Sequence, residues 1–236
     1  MSSTALPTTA SKTASEENNL TGFTITHDLI RRAVPELARR LATAAADGPP
    51  DPAAVRRLVT WWGMFTAILH GHHTSEDSHV WPTVLAADPG LADAARALEQ
   101  QHGALEEHLA GIDQGLARLQ RGSGEPEPER ELQTLLARIA AFDALMRDHL
   151  LLEEDTMVPV LRAGVTAEGY RGMMAALASG HDPADFVPTM PLLLERAPAA
   201  AREFMLGGLP DQLRARYLGE WEPGYRELVA SLPPEH

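Results

Sequence analysis

The sequence predicts an all-α protein, an up-down-up-down four-helix bundle with additional C-terminal helices. Three observations predict it. Apolar residues recur at three- and four-residue steps through most of the 236 residues, strand signals are scarce, and good helix formers such as Ala, Leu, Arg and Glu are abundant. Turn-forming clusters cut this pattern into four long pieces joined by short connections, the signature of helices that pack on their chain neighbours.

The opening stretch, MSSTALPTTASKTASEENNL, is polar and lacks both an apolar signal core and helical periodicity, so residues 1–22 are expected to form a disordered arm. The first helix is predicted over 23–46 and ends at ADGPPDP. Asp51 and Pro52 supply an N-cap and a first-turn proline for a second helix over 52–86. Asp88 and Pro89 repeat that device for a third over 89–120, and RGSGEPEPE separates it from a fourth over 128–162. Residues 23–162 form the expected bundle. Residues 163–236, richer in Pro and Gly, read as two or three shorter helices packed on it.

With 20 basic against 33 acidic side chains the formal charge is −13, which opposes nucleic acid and anionic membrane surfaces as partners. Every long apolar stretch is interrupted by charge, so a cytoplasmic location is expected. The chain has no Cys. Thiolate metal sites and cysteine nucleophiles are thereby excluded, and any metal must be held by nitrogen and oxygen donors.

An internal repeat points to such donors. His72-x3-Glu76-Asp77-x4-Pro82 in the second helix matches His149-x3-Glu153-Glu154-x4-Pro159 in the fourth, while His27 and His102 precede these by 45 and 47 residues. On a helical wheel centred on His72, Phe65, Leu69, Ile68 and Glu76 fall within about 60°; His70 and Asp77 lie about 140–160° away and His73 about 100°. His149 shares its face with Phe142, Met146 and Glu153, His102 with Leu98, Leu105, Leu109 and Glu106, and His27 with Ile30, Val34 and Leu41. Each helix thus sends one histidine inward, and three add a glutamate one turn later.

One inward histidine is ordinarily a hydrogen-bonded core residue, and one His-x3-Glu is common. Four inward histidines with converging carboxylates, arranged as a repeat, call for a cation, because buried carboxylates are costly unless paired or coordinated. The candidate ligands are His27, His72, Glu76, His102, Glu106, His149 and Glu153. His70, His73 and His108 read as a solvated face, His79 as undecided between surface and the site's periphery, His181 as a loop residue and His236 as a terminus. Seven N/O ligands exceed one tetrahedral zinc, and two iron or two manganese ions fit best.

These residues, with VWP and MVP after the acidic pairs, resemble the hemerythrin-like, or HHE cation-binding, family over residues 23–162. The resemblance implies a four-helix bundle holding two iron ions with a bridging oxo or hydroxo group. It implies His27, His72, His102 and His149 as terminal ligands and Glu76 and Glu153 as bridges. Two departures stand out. Glu106 occupies the position of a second histidine found in the oxygen-carrying members, and Glu154 occupies the position of their aspartate, although Glu153 is better aimed. An extra anionic ligand at Glu106 would favour ferric iron and oppose reversible oxygen carriage.

The expected function is therefore a di-iron protein that binds or reacts with dioxygen, peroxide or nitric oxide, in a catalase-like reaction for example. One alternative is an oxygenase or oxidase acting on a small organic substrate, with Trp61, Trp62, Phe65, Met173, Met174 and Phe186 lining a pocket; the plain alternative for these six is core packing. Another is a metal or oxygen sensor acting through a protein partner. Tyr170, Tyr217 and Tyr225 all lie in the tail and carry no assigned role.

Overall fold

The computed structural model describes residues 17–121, 128–180 and 186–235, and the described residues form helices and no strands. The four long elements are α1 (Thr21–Ala44), α2 (Pro52–Ser75), α4 (Ala92–Arg121) and α5 (Pro128–Pro159). Asp51 caps α2 by accepting from Ala53 N, with Pro52 in the first turn, and Asp88 accepts from Gly90 N at the 3-10 turn that leads into α4. Helix α2 does not stop cleanly. It widens into a π turn over Glu76–Val80 before α3 (Trp81–Ala87), and α5 likewise ends in a π turn over Val160–Gly164.

Helices α1, α2, α4 and α5 make a closed ring of contacts, α1 on α2, α2 on α4, α4 on α5 and α5 on α1. Their apolar faces form two separate clusters. One holds Leu29, Phe65, Leu69, Leu105, Leu109, Phe142, Met146 and Leu150; the other holds Leu20, Val80, Trp81, Leu98, Met157 and Leu161. Between Leu98 and Leu105 on α4 stands His102. Between Leu150 and Met157 on α5 stands Glu153, and between Leu69 and Val80 stand His72, His73 and Glu76. A polar layer is therefore closed off by hydrocarbon on both sides.

The remaining helices are α6 (Ala167–Gly180), α7 (Met190–Leu194), α8 (Ala199–Gly207), α9 (Asp211–Arg216) and α10 (Glu222–Ser231). Helix α6 lies on α3 and the first π turn. Farther on, Val187, Met190, Leu193, Tyr217 and Tyr225 are buried in the larger apolar cluster with α1 and α2. Polar ties reinforce this: Arg32 donates to Leu192 O at 2.7 Å, Arg40 to Pro233 O at 2.6 Å and Arg57 to Ser231 O at 2.8 Å.

Of the arm expected over 1–22, residues 1–16 lie outside the described residues, as do His181 and His236. Asn18, by contrast, is tied down. Its side-chain amide donates to Leu161 O at 2.8 Å and Val165 O at 2.9 Å, Leu20 is buried, and α1 begins at Thr21.

Candidate metal centre

The polar layer gathers side chains from all four long elements. Donor atoms of His27, His72, Glu76 and Glu153 lie within 4.8 Å of one another, and so do those of Glu76, His102, His149 and Glu153. A third group, His73, His102 and His149, meets the same limit. The first two groups share both carboxylates, and each carboxylate reaches both ways. Glu153 places one oxygen 2.9 Å from His149 Nε2 and the other 3.4 Å from His27 Nε2. Glu76 places one 3.3 Å from His72 Nε2 and the other 3.7 Å from His102 Nε2.

These approaches are close but not aligned as hydrogen bonds. The Nε2 atoms of His27, His72, His102 and His149, both ring nitrogens of His73 and all four oxygens of Glu76 and Glu153 are buried without a hydrogen-bond partner. A single buried polar group left unpaired costs about 1–3 kcal/mol. So many orphans in one dry place are tolerable only if something else satisfies them, and lone pairs aimed at shared points are what cations require. The donor set fits two of them.

The outward ring nitrogens are partnered. His27 Nδ1 lies 2.9 Å from Glu154 Oε1, His149 Nδ1 2.9 Å from Gln101 Oε1, and His102 Nδ1 3.1 and 3.2 Å from the two oxygens of Asp77. An acceptor at Nδ1 draws the ring proton outward and leaves the Nε2 lone pair facing the centre. Burial lowers the pKa values of His27 and His102 below the ordinary 6.5, and takes His72 to about 3 and His73 to about 2. All four are thus neutral near pH 7, as ligands must be. Burial and the adjacent Glu153 push Glu76 well above the usual carboxylate range. Burial also pushes Glu153 up, but the imidazoles of His149, His72 and His27 outweigh it and hold this group low.

Six of the seven candidate ligands read from the sequence come together here: His27, His72, Glu76, His102, His149 and Glu153. Glu106 does not. Its side chain is 51% exposed and faces the still more open His70 across the surface between α4 and α2, at 3.7 Å. The buried stripe of α4 is Leu98, His102, Leu105, Leu109, Ile112 and Leu116, so His102 sits at its edge and a residue one turn later swings about 40° farther out. With Glu106 goes the extra anionic ligand, and the argument from it against reversible oxygen carriage.

His73 takes the vacant place. It is 4% exposed, stacks on His102 with centroids 4.2 Å apart, and meets His149 edge-on at 5.4 Å. The solvated-face reading fails because α2 packs on α1 through one flank and on α4 through the other, so its buried face is wider than an arc centred on His72. A second wheel centred on His73 would have found it: Val55, Trp62 and Leu69 fall within about 40°. His79 is half-buried and outside the groups, because the i→i+5 π turn lags the α-helical step and rotates it off the face. His70 is exposed, and His108 is half-buried near Phe142. Glu154, 34% exposed, is a partner of His27 rather than a member of the groups.

The proposed organic pocket does not assemble. Trp61, Trp62 and Phe65 belong to one apolar cluster, Met173 to the other, and Met174 and Phe186 are exposed. Tyr217 and Tyr225 are core residues, and the Tyr170 hydroxyl donates to Asn19 O.

A family model described as Hemerythrin HHE cation binding domain matches residues 21–161. The chain belongs to this family. No curated protein and no solved structure matches it. The match spans the four helices that carry the hemerythrin-like donor groups and stops before α6, so the C-terminal helices lie beyond it. No helix among the described residues is long and apolar enough to cross a membrane.

Proposed function

We propose that the protein is a cytoplasmic di-iron protein of up-down-up-down bundle architecture that binds or reacts with dioxygen, peroxide or nitric oxide. The observation that carries this reading is the sharing of Glu76 and Glu153 by two donor groups. His27 near the start of α1, His72 near the end of α2, His102 toward the start of α4 and His149 toward the end of α5 converge, which supports alternating helix directions. Five imidazoles and two carboxylates are the donor type that iron accepts, with manganese the second candidate.

When bound, two iron ions supply redox equivalents and Lewis acidity for a small exogenous ligand. The chain's own groups do the rest. Glu76 and Glu153, shared by two donor groups, would hold the metal, and the apolar clusters above and below keep bulk water out. Beside the shared carboxylates one group has His102 and His149, which also lie with His73 in a third group, and the other has only His27 and His72. The side held by His27 and His72 would have the fewer imidazoles and so the room for an exogenous ligand. Phe23 packs there, 3.9 Å from the His27 ring and 6.0 Å from that of His72, which restricts entry to small molecules.

The test is metal analysis after anaerobic loading with ferrous iron, followed by absorption spectra on adding dioxygen, peroxide or nitric oxide separately. Two ions per chain and a new charge-transfer band with at least one of the three are expected. A chain that stays colourless and takes up neither iron nor manganese overturns the reading.

A further inference from the structure

The two acidic pairs of the internal repeat do not use their two members alike. Glu76 and Glu153 turn inward between the donor groups, whereas their immediate successors, Asp77 and Glu154, turn sideways to a neighbouring helix. Asp77, in the π turn that follows α2, meets the ring nitrogen of His102 on α4. Glu154, on α5, meets that of His27 on α1 and is itself steadied by Arg31, whose Nη2 donates to it at 2.5 Å. Each half of the chain thus supports the leading histidine of the other half, and each donor group contains one histidine supported in this way.

We propose that Asp77 and Glu154 are positioning residues of the metal centre, forming a reciprocal clamp that fixes the tautomer and orientation of His102 and His27, one for each ion. This rests on the metal-binding reading above and names residues that touch no ion themselves. A neutral imidazole carries one N–H, and an anionic acceptor at Nδ1 selects the tautomer whose Nε2 lone pair is free. It also makes that lone pair a stronger donor, and loss of such a partner weakens metal binding about 10–100-fold. The arrangement has an electrostatic logic too. With ions bound, Glu76 and Glu153 would each present a carboxylate to them, while Asp77 and Glu154 add acidic groups that stay at the solvent boundary, 42% and 34% exposed. His149 needs no third charge and is held by the neutral amide of Gln101.

The test uses the full chain with Asp77→Leu, Asp77→Asn, Glu154→Leu and Glu154→Gln, each read in two ways. Imidazole 15N shifts of the metal-free protein report the tautomers of His27 and His102, and calorimetric titration with Co(II), chosen for its ligand-field bands, reports affinity at each position. In Asp77→Leu the Nδ1–H form of His102 should be lost and one Co(II) should bind about 10–100-fold more weakly while the other is unchanged. Glu154→Leu should do the same to His27 and the other ion. The Asn and Gln variants, which keep a neutral acceptor, should hold the tautomer and lose less affinity. Leu variants with unchanged tautomers and two unchanged affinities overturn the clamp and leave the metal reading intact. Equal weakening of both ions with a lowered metal-free melting temperature also overturns it, since that is the mark of a general structural role. Tautomers that respond in a chain that takes up no Co(II), iron or manganese leave the imidazole clamp standing and overturn the metal reading instead.

Discussion

Replacing His73 with Leu should have opposite effects on the metal-free and metal-loaded protein. In the metal-free chain both ring nitrogens of His73 are buried without a partner. A neutral imidazole offers one donor and one acceptor, and at about 1–3 kcal/mol for each unpaired group the native ring carries a penalty of roughly 2–6 kcal/mol. Leucine removes it at similar volume and loses only the stacking on His102, about 0.5–1.5 kcal/mol. A net stabilisation near 2 kcal/mol raises the melting temperature of a chain this long by roughly 4–8 °C. With metal the sign reverses. Loss of one of three imidazoles at that position weakens the ion at least tenfold, and each tenfold loss removes about 1.4 kcal/mol of ligand-linked stability. Calorimetric melting of wild type and His73→Leu, with chelator and with saturating Fe(II), measures both signs. A variant that melts lower than wild type in chelator, yet binds two ions at wild-type affinity, refutes the reasoning.

Glu106→Gln should leave metal stoichiometry and affinity unchanged in a titration and alter stability by no more than about 0.5 kcal/mol, because this side chain faces solvent. Two glycines of α4 should respond differently to alanine. A Cβ at Gly115 meets the buried Leu135 Cδ1 at 2.9 Å, whereas one at Gly111 meets only the end of the exposed Arg138 at 2.7 Å. Urea unfolding should find Gly111→Ala more stable than Gly115→Ala by about 1–3 kcal/mol. The metal-free chain should also lose stability in mild acid. Below pH 6.5 the unfolded chain protonates His72 and His73, while the folded chain resists down to about 3 and about 2. Each costs about 1.4 kcal/mol per pH unit in that window. Glu76, raised by burial and by Glu153, gains stability as pH falls toward its unfolded value and offsets one of the two. His27 and His102, also lowered by burial, add to the loss, so at least about 1.4 kcal/mol per unit should be lost between pH 6.5 and 5 in denaturant midpoints, and a flat profile would count against buried neutral imidazoles.

Local signals were sufficient for the helices. Asp51-Pro52 starts α2 where the capping pattern puts it, and the predicted spans 23–46, 89–120 and 128–162 differ from α1, α4 and α5 by a few residues. Within the candidate site, the convergence of His27, His72, Glu76, His102, His149 and Glu153 was legible because each lies on the same face as several apolar neighbours, and the repeat doubled the signal. The exchange of His73 for Glu106 was not legible from single-origin wheels. Which edge of a buried arc is covered depends on the neighbouring helices that press on it, and that is a property of packing.

By itself, then, the order of residues determined the helical periodicity, the absence of thiolate chemistry and the imidazole–carboxylate character of the centre, since these follow from residue type and a 3.6-residue repeat. Only the tertiary structure decided the width of the buried face on α2, the π turn that rotates His79 away, and the cross-support of His27 by Glu154 and of His102 by Asp77. Those contacts join residues 127 and 25 positions apart. Separation along the chain says nothing about them until four helices set their faces against one another.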